Sequence, residues 1–499
     1  MRNLFRSPSA HLAADLDAAI AAIAAATPLN TLHSRELPYA VRDLSRLLTQ
    51  ERSRLSSSYW INKRLLTAYC RYFLPWNLVR LAWLLPSLDL ALQPGDTVLD
   101  LGSGPLTLPL ALWIAHPQWR TMPLTFVCSD IAPNPMATGR EIFHHLDAAS
   151  PWKIELRRSP MQTLLRSFSG KAALITAGNV LNESRSSREH SLEDRLGELA
   201  AAIASRLAPH GRLLLVEPGT RLGGKLISLF RHAAFASSLM PESPCTHWNA
   251  CPMLAERATG WCHFSHTLET IPRSLADLTR LAKLEKQALN ISCLLLRHAT
   301  EEENVAAQNV LRSIPLETGE DDWDDAEDDA ASPSGNQALR DAWASAYAAT
   351  RQTARPSPVV RVLSDPIRLP GTPEPARYGC SCKGLTLVHN ALRIPSGAAL
   401  DVRWPEEEQR DPKTGAYVVT LPKQAPSVRP EATGTGKRSG TRPVPVAPSA
   451  AMPPERKEER PPSRRRNTSA APTAAGKNAG GKKPSRVRRS RPAGGTREA

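Results

Sequence analysis

Cysteine is scarce in this chain: 8 residues among 499. So few in so long a sequence exclude a disulfide-dense secreted scaffold. Long apolar runs are missing as well. The most apolar window, Leu78 to Leu92, is interrupted by Arg80 and Asp89, so no stretch reaches the ~18–20 apolar residues of a membrane span. The Ala-rich opening follows a basic start as a signal peptide does. Asp15 and Asp17 break it, however, and its apolar spacing is that of an amphipathic helix. The apolar share of 41% is low, and 44 prolines are many, so part of the chain is expected not to pack. What remains is a cytoplasmic protein of several parts. At roughly 100–200 residues per domain its length allows two to four domains.

The net charge of +15 is unevenly placed. From Leu421 to Ala499 there are 19 Lys+Arg and 5 Asp+Glu, against 44 and 43 in the rest. This tail is rich in Pro, Ala, Gly and Ser, has no aromatic residue and carries runs such as Arg464–Arg466. Its composition predicts a disordered polycation able to hold nucleic-acid phosphates without sequence preference. A second biased stretch, Glu317 to Asp329, holds nine carboxylates in thirteen residues. It lacks the ordered spacing of a calcium loop and reads as a solvated acidic insertion.

Between these extremes the pattern changes along the chain. Residues 1–93 read as helical, with apolar spacings of three and four through Leu32–Leu48 and Ile61–Leu74 and a break expected at Pro75. Arg42, Arg46, Arg52, Arg54, Lys63, Arg64 and Arg71 alternate there with Tyr59, Trp60, Tyr69, Tyr72, Phe73 and Trp76, a mixture that suits either a core or an RNA contact. Residues 94–300 alternate short apolar strands with helical segments. That pattern predicts an α/β domain with a doubly wound parallel sheet. Residues 301–347 form the acidic insert, 348–420 a small β-rich module, and 421–499 the basic tail.

The first strand of the α/β part runs into Asp100-Leu101-Gly102-Ser103-Gly104-Pro105. Glycines at such a turn let a backbone approach a ligand at the carboxyl end of the strand, and Asp130, closing the second strand, is placed to accept from ribose hydroxyls. The third glycine of a nicotinamide fingerprint is absent. The D-x-G-x-G opening resembles motif I of class I S-adenosylmethionine-dependent methyltransferases, with Leu106 where a third glycine is common. That resemblance implies that Asp100, Gly102 and Gly104 line the methionine end and Asp130 holds the ribose. Asn179, Asn182 and Glu183 supply polar groups at the end of the fourth strand, where amino methyltransferases carry an Asn-Pro-Pro-aromatic motif that is missing here. No catalytic base is assigned.

Three of the few cysteines crowd one segment: Cys245, Cys251 and Cys262, with His247 and His263 among them. Cys380 or Cys382 offers a fourth sulfur, Cys380 being the first choice. Thiolates so spaced read as metal ligands, for zinc or for an iron–sulfur cluster. Cys70, Cys128 and Cys293 lie in apolar runs and read as inert core.

Four stretches together, Ala68–Asn77, Val98–Pro105, Leu213–Gly224 and Cys245–His266, resemble the mitochondrial small-subunit ribosome-associated, methyltransferase-like proteins and their bacterial homologues (the Rsm-type family). The resemblance implies a class I methyltransferase fold, S-adenosylmethionine as cofactor, and association with the small ribosomal subunit and its rRNA. It also implies a [4Fe-4S] site held by Cys245, Cys251, Cys262 and one of Cys380/Cys382.

Overall fold

The computed structural model describes residues 3–5, 10–49, 60–181, 191–254, 260–267, 271–286, 288–313, 358–363, 365–369 and 374–422. The acidic stretch 317–329, Asn182, Glu183, Arg52, Arg54 and Tyr59 lie outside them, as does all but the first two residues of the basic tail.

Helices α1 (Ala10–Ala26), α2 (Thr31–Thr49), α3 (Lys63–Ala68) and α4 (Leu74–Leu84) build the N-terminal region. No single described helix is long and apolar enough to cross a membrane. Pro75 does not break the chain as expected. A π-turn over Tyr69–Phe73 leads directly into α4, and Pro75 sits in that helix's first turn, where the missing N–H is tolerated.

The central body follows as β1 (Thr97–Leu101), α5 (Thr107–Ala115), β2 (Thr125–Asp130), α6 (Pro133–Leu146), β3 (Lys153–Arg158), α7 (Met161–Ser167), β4 (Ala172–Gly178), α8 (Leu192–Arg206), β5 (Leu207–Pro218), α9 (Arg221–Phe235), β6 (Leu239–Ser243), β7 (Phe264–Thr267), α10 (Arg273–Leu281), β8 (Ala288–His298) and α11 (Glu301–Ser313). The strands pair in the order β3-β2-β1-β4-β5-β8-β6, and β7 pairs with β8. Strands β1 to β5 are mutually parallel, whereas β8 runs antiparallel to β5, β6 and β7. The expected parallel sheet is thus extended by a reversed strand. This is the Rossmann-like α/β arrangement of class I methyltransferases. Apolar clusters cover both faces: Phe126, Leu174 and Leu214 on one, Leu99, Ile175 and Leu213 on the other. Helix α11 lies inside the stretch expected as an acidic insert. Its Ala307 and Val310 are buried against Phe235 and Met240, so the packed body extends to Ser313.

Five short strands form a second sheet: β9 (Val359–Val362), β10 (Arg377–Ser381), β11 (Gly384–His389), β12 (Ala399–Asp401) and β13 (Tyr417–Thr420), in the order β12-β9-β10-β11-β13. These strands fall within the stretch 348–420. Leu4 fastens this sheet from the N-terminal side: its N–H donates to the Gly397 carbonyl at 2.9 Å, and the Leu4 carbonyl accepts from Ser87 Oγ at 2.5 Å.

Candidate cofactor crevice and cysteine centre

Strand order reverses between β1 and β4, and such a switch point opens a crevice at the carboxyl ends of the strands. The glycine turn lies there. Gly102 and Gly104 both have positive φ (66° and 50°), the region glycine enters without strain. Nothing lies within 4 Å of where a Cβ on Gly104 would sit, whereas one on Gly102 would strike Val180 at 2.4 Å. The first glycine therefore serves packing, and the second leaves room beside the backbone.

Leu106, in the place of the usual third glycine, adopts a positive φ of 57° and is fully buried. It opens α5 and packs into the core, so the turn keeps its left-handed geometry with a side chain directed away from solvent. Asp130 Oδ2 accepts from the Gly104 N–H at 2.9 Å, and Oδ1 accepts from Ala132 at 2.9 Å. Burial raises this carboxyl above its usual range, and the backbone N–H groups partly offset that.

Asp100 is buried, and burial pushes its carboxyl up to about 7, opposed by hydrogen bonds from Thr176 and Ser103. Thr176 Oγ1 meets Asp100 Oδ1 at 2.6 Å; Asp100 Oδ2 has no partner. At the end of β4, Asn179 has a positive φ of 60°, and its Oδ1 is likewise buried without a partner. Two unsatisfied oxygens and an open glycine flank one crevice. Such groups fit a polar ligand carrying donors.

The cysteines meet elsewhere. Cys245, Cys251, Cys262 and Cys380 line one cavity, joined by Cys293 of β8 and by Arg231 and His247. Cys293, expected as inert core, is buried but borders this cavity. Cys382 does not line it; its carbonyl accepts from Asn249 Nδ2 at 3.0 Å. The segment after β6 is fastened to the small sheet by further bonds, Thr246 Oγ1 to the Val359 carbonyl (3.3 Å) and Arg361 Nε to the Pro244 carbonyl (2.8 Å). His247 Nε2 lies 3.3 Å from Cys380 Sγ. His263 instead has its Nδ1 3.0 Å from the Trp261 carbonyl and stacks on the Trp261 ring.

Arg231 decides the electrostatics of this cavity. It is only 2% exposed. Its Nη2 donates to the carbonyls of His247 (3.0 Å) and Asn249 (2.8 Å), while Nε and Nη1 have no oxygen or nitrogen acceptor. Burial opposes its charge, but Cys245, Cys251 and Cys380 outweigh burial and hold the guanidinium pKa above its ordinary value. Burial pushes the thiols of Cys251, Cys262 and Cys380 up, and neighbouring sulfurs add to it. Three thiols that resist ionisation, beside a buried cation without an oxygen anion, fit a group that takes them as thiolates. Among the described residues no three His, Cys, Asp or Glu side chains converge tightly enough for a single metal ion.

Arg231, Thr176 and Cys293 were not legible as site residues. The one signal in the sequence was a lone arginine on the apolar face of α9, beside Ile227, Phe230 and Ala234.

Residues 91–313 match the family model described as mitochondrial small ribosomal subunit Rsm22. The match covers the glycine turn and three of the four cysteines. No curated protein matches the chain. Several solved structures are similar to part of the chain. A putative methyltransferase from Thermoplasma acidophilum is 10% identical over 42% of this chain and 71% of its own, with a TM-score of 0.25. Precorrin-6y C5,15-methyltransferase from Geobacter metallireducens is 12% identical over 45% and 86%, with a TM-score of 0.28. The mitomycin 7-O-methyltransferase MmcR is 17% identical over 58% and 75%, with a TM-score of 0.29. The strand order carries the fold assignment.

Proposed function

We propose that this chain is a methyltransferase-fold protein that associates with the small ribosomal subunit and its rRNA, and that it holds a [4Fe-4S] cluster on Cys245, Cys251, Cys262 and Cys380. The gathering of these four thiols around one cavity, with Arg231 buried among them, carries the proposal. The family model supports the ribosomal part. When bound, a cluster supplies a covalent crosslink. Here that link spans the 117 residues between Cys262 and Cys380, and closing so long a loop restricts the unfolded chain strongly. Cys380 ligates in preference to Cys382 because it borders the cavity.

S-adenosylmethionine is the cofactor proposed for the crevice, held by Asp100, Gly102, Gly104, Asp130 and Asn179. Methyl transfer from a sulfonium needs alignment and a dry pocket rather than a universal catalytic residue. Asp130 fixes the glycine turn, and the unsatisfied oxygens of Asp100 and Asn179 can accept from donors on the ligand.

Anaerobic purification with iron and sulfide analysis tests the cluster. Four irons and four sulfides per chain are expected, with loss of both in Cys251→Ser. A colourless protein with one equivalent of zinc sinks the iron–sulfur assignment. Sedimentation with small ribosomal subunits tests the partner, and calorimetric titration with S-adenosylmethionine tests the crevice.

A further inference from the structure

Several partly buried cations in this protein have an anion. Arg120 pairs with Asp15 at 2.6 Å, and Arg297 pairs with Glu303 at 2.7 Å. One pair of cations, away from the cysteine cavity, departs from that pattern. Arg80 lies on α4 and Lys286 in the segment between α10 and β8. Lys286 Nζ stands 4.7 Å from the centroid of the Trp76 ring, which is itself 1% exposed. Arg80 Nη1 donates to Asn77 Oδ1 at 3.2 Å, and its Nε is buried with no partner.

Burial, with the neighbouring Arg80 charge adding to it, lowers Lys286 to about 7; burial likewise lowers Arg80 to about 10. Among the described residues neither cation has a carboxylate partner. Both residues are half-buried beside the buried Trp76.

Arg80 follows Trp76 by one turn on α4, so the guanidinium and the ammonium over the Trp76 ring share one helix face, where two like charges oppose folding unless an anion joins them. A planar guanidinium beside an ammonium matches the oxygens of a phosphate, which takes several charge-assisted hydrogen bonds at once. We propose that Arg80, Lys286 and the face of Trp76 form a recessed site for a phosphate oxyanion, and that its occupant is a backbone phosphate of RNA. The choice of RNA rests on the ribosomal function proposed above; the oxyanion site does not.

The experiment uses the full chain and an amine-acylating reagent near neutral pH, with labelled lysines mapped by mass spectrometry. Lys286 is expected to label well above the chain's other lysines. Inorganic phosphate, and a short single-stranded RNA at much lower concentration, are each expected to suppress that labelling severalfold at constant ionic strength. Arg80→Gln is expected to lose the protection. Lys286→Met is expected to melt higher than the parent in phosphate-free buffer and to gain nothing from added phosphate, because the repulsion and the site disappear together. Labelling of Lys286 that ignores phosphate and RNA alike overturns the site. Protection by phosphate but not by RNA overturns the RNA occupant, as does RNA protection that survives in Arg80→Gln. Ribosome sedimentation is read separately, so failure there with intact protection by RNA removes the ribosomal partner and leaves the site standing.

Discussion

Burial holds the Asp100 carboxyl at about 7, against 3.8 for the ordinary side chain. A group whose pKa is raised by folding contributes stability that is complete below the unfolded value and is lost as pH climbs towards the folded one. Asp100→Asn removes that dependence. Its stability relative to the parent is expected to rise between about pH 4 and 7 and to level off above, by an amount on the order of a few kcal/mol at most. Parallel melting curves from pH 4 to 8 would contradict this. Gly104 and Gly139 separate ligand space from packing in the same crevice. An added Cβ on Gly104 meets nothing, whereas one on Gly139 strikes the Pro105 carbonyl carbon at 2.4 Å. Gly104→Ala is expected to fold with a loss of about 1–2 kcal/mol from its left-handed backbone and to bind S-adenosylmethionine weakly. Gly139→Ala pushes α6 off the glycine turn and is expected to cost about 1–3 kcal/mol in denaturant titration. Asp100 and the glycines were readable because one local motif carries them. Thr176, which meets Asp100 from β4, was not, because only strand pairing brings residues 76 positions apart together.

At the level of elements, the strands legible in sequence were those buried on both faces, β1, β2, β4 and β5. Strand β3 escaped because an edge strand need not be apolar: Lys153, Arg157 and Arg158 point from it into solvent. The reversal of β8 has no local signature, since its direction is set by the strands it joins. Helix α9 couples this sheet to the cysteine centre. Its Gly224 lies so close to the loop before β7 that a Cβ would meet Trp261 Cδ1 at 2.6 Å and the Cys262 carbonyl at 2.8 Å. Gly224→Ala touches no proposed ligand, yet it is expected to displace Cys262 and lower the iron content. It should also destabilise the fold by about 1–3 kcal/mol. Unchanged iron per chain in a variant with lowered stability would show that the loop adapts without moving the thiol.

Across the whole molecule, charge and packing divide at one point in the chain. Convergence of Cys245, Cys251 and Cys262 with Cys380 was a matter of family resemblance in the sequence, because nothing local says that a strand more than a hundred residues on returns to the same cavity; the topology places it there. The boundary of the basic tail is shifted slightly by the same topology. Leu421 belongs to the small sheet: its N–H donates to the His389 carbonyl at 3.3 Å, its carbonyl accepts from Asn390 Nδ2 at 2.8 Å, and its side chain packs beside Val388 and Val419. A clean truncation therefore falls after Pro422, and it still removes all 19 Lys+Arg of the tail with its 5 Asp+Glu. The body left behind is near neutral, so long-range attraction to phosphates goes with the tail while the local Arg80–Lys286 pair stays. Every phosphate that the tail no longer neutralises makes binding less sensitive to salt, because fewer counterions are released. The truncated protein is expected to keep its melting temperature and its iron. Its RNA affinity should fall at low salt, and a plot of log affinity against log salt should become markedly shallower. An unchanged slope would mean that the tail does not touch the nucleic acid, and loss of iron would mean that the small sheet depends on residues beyond Pro422.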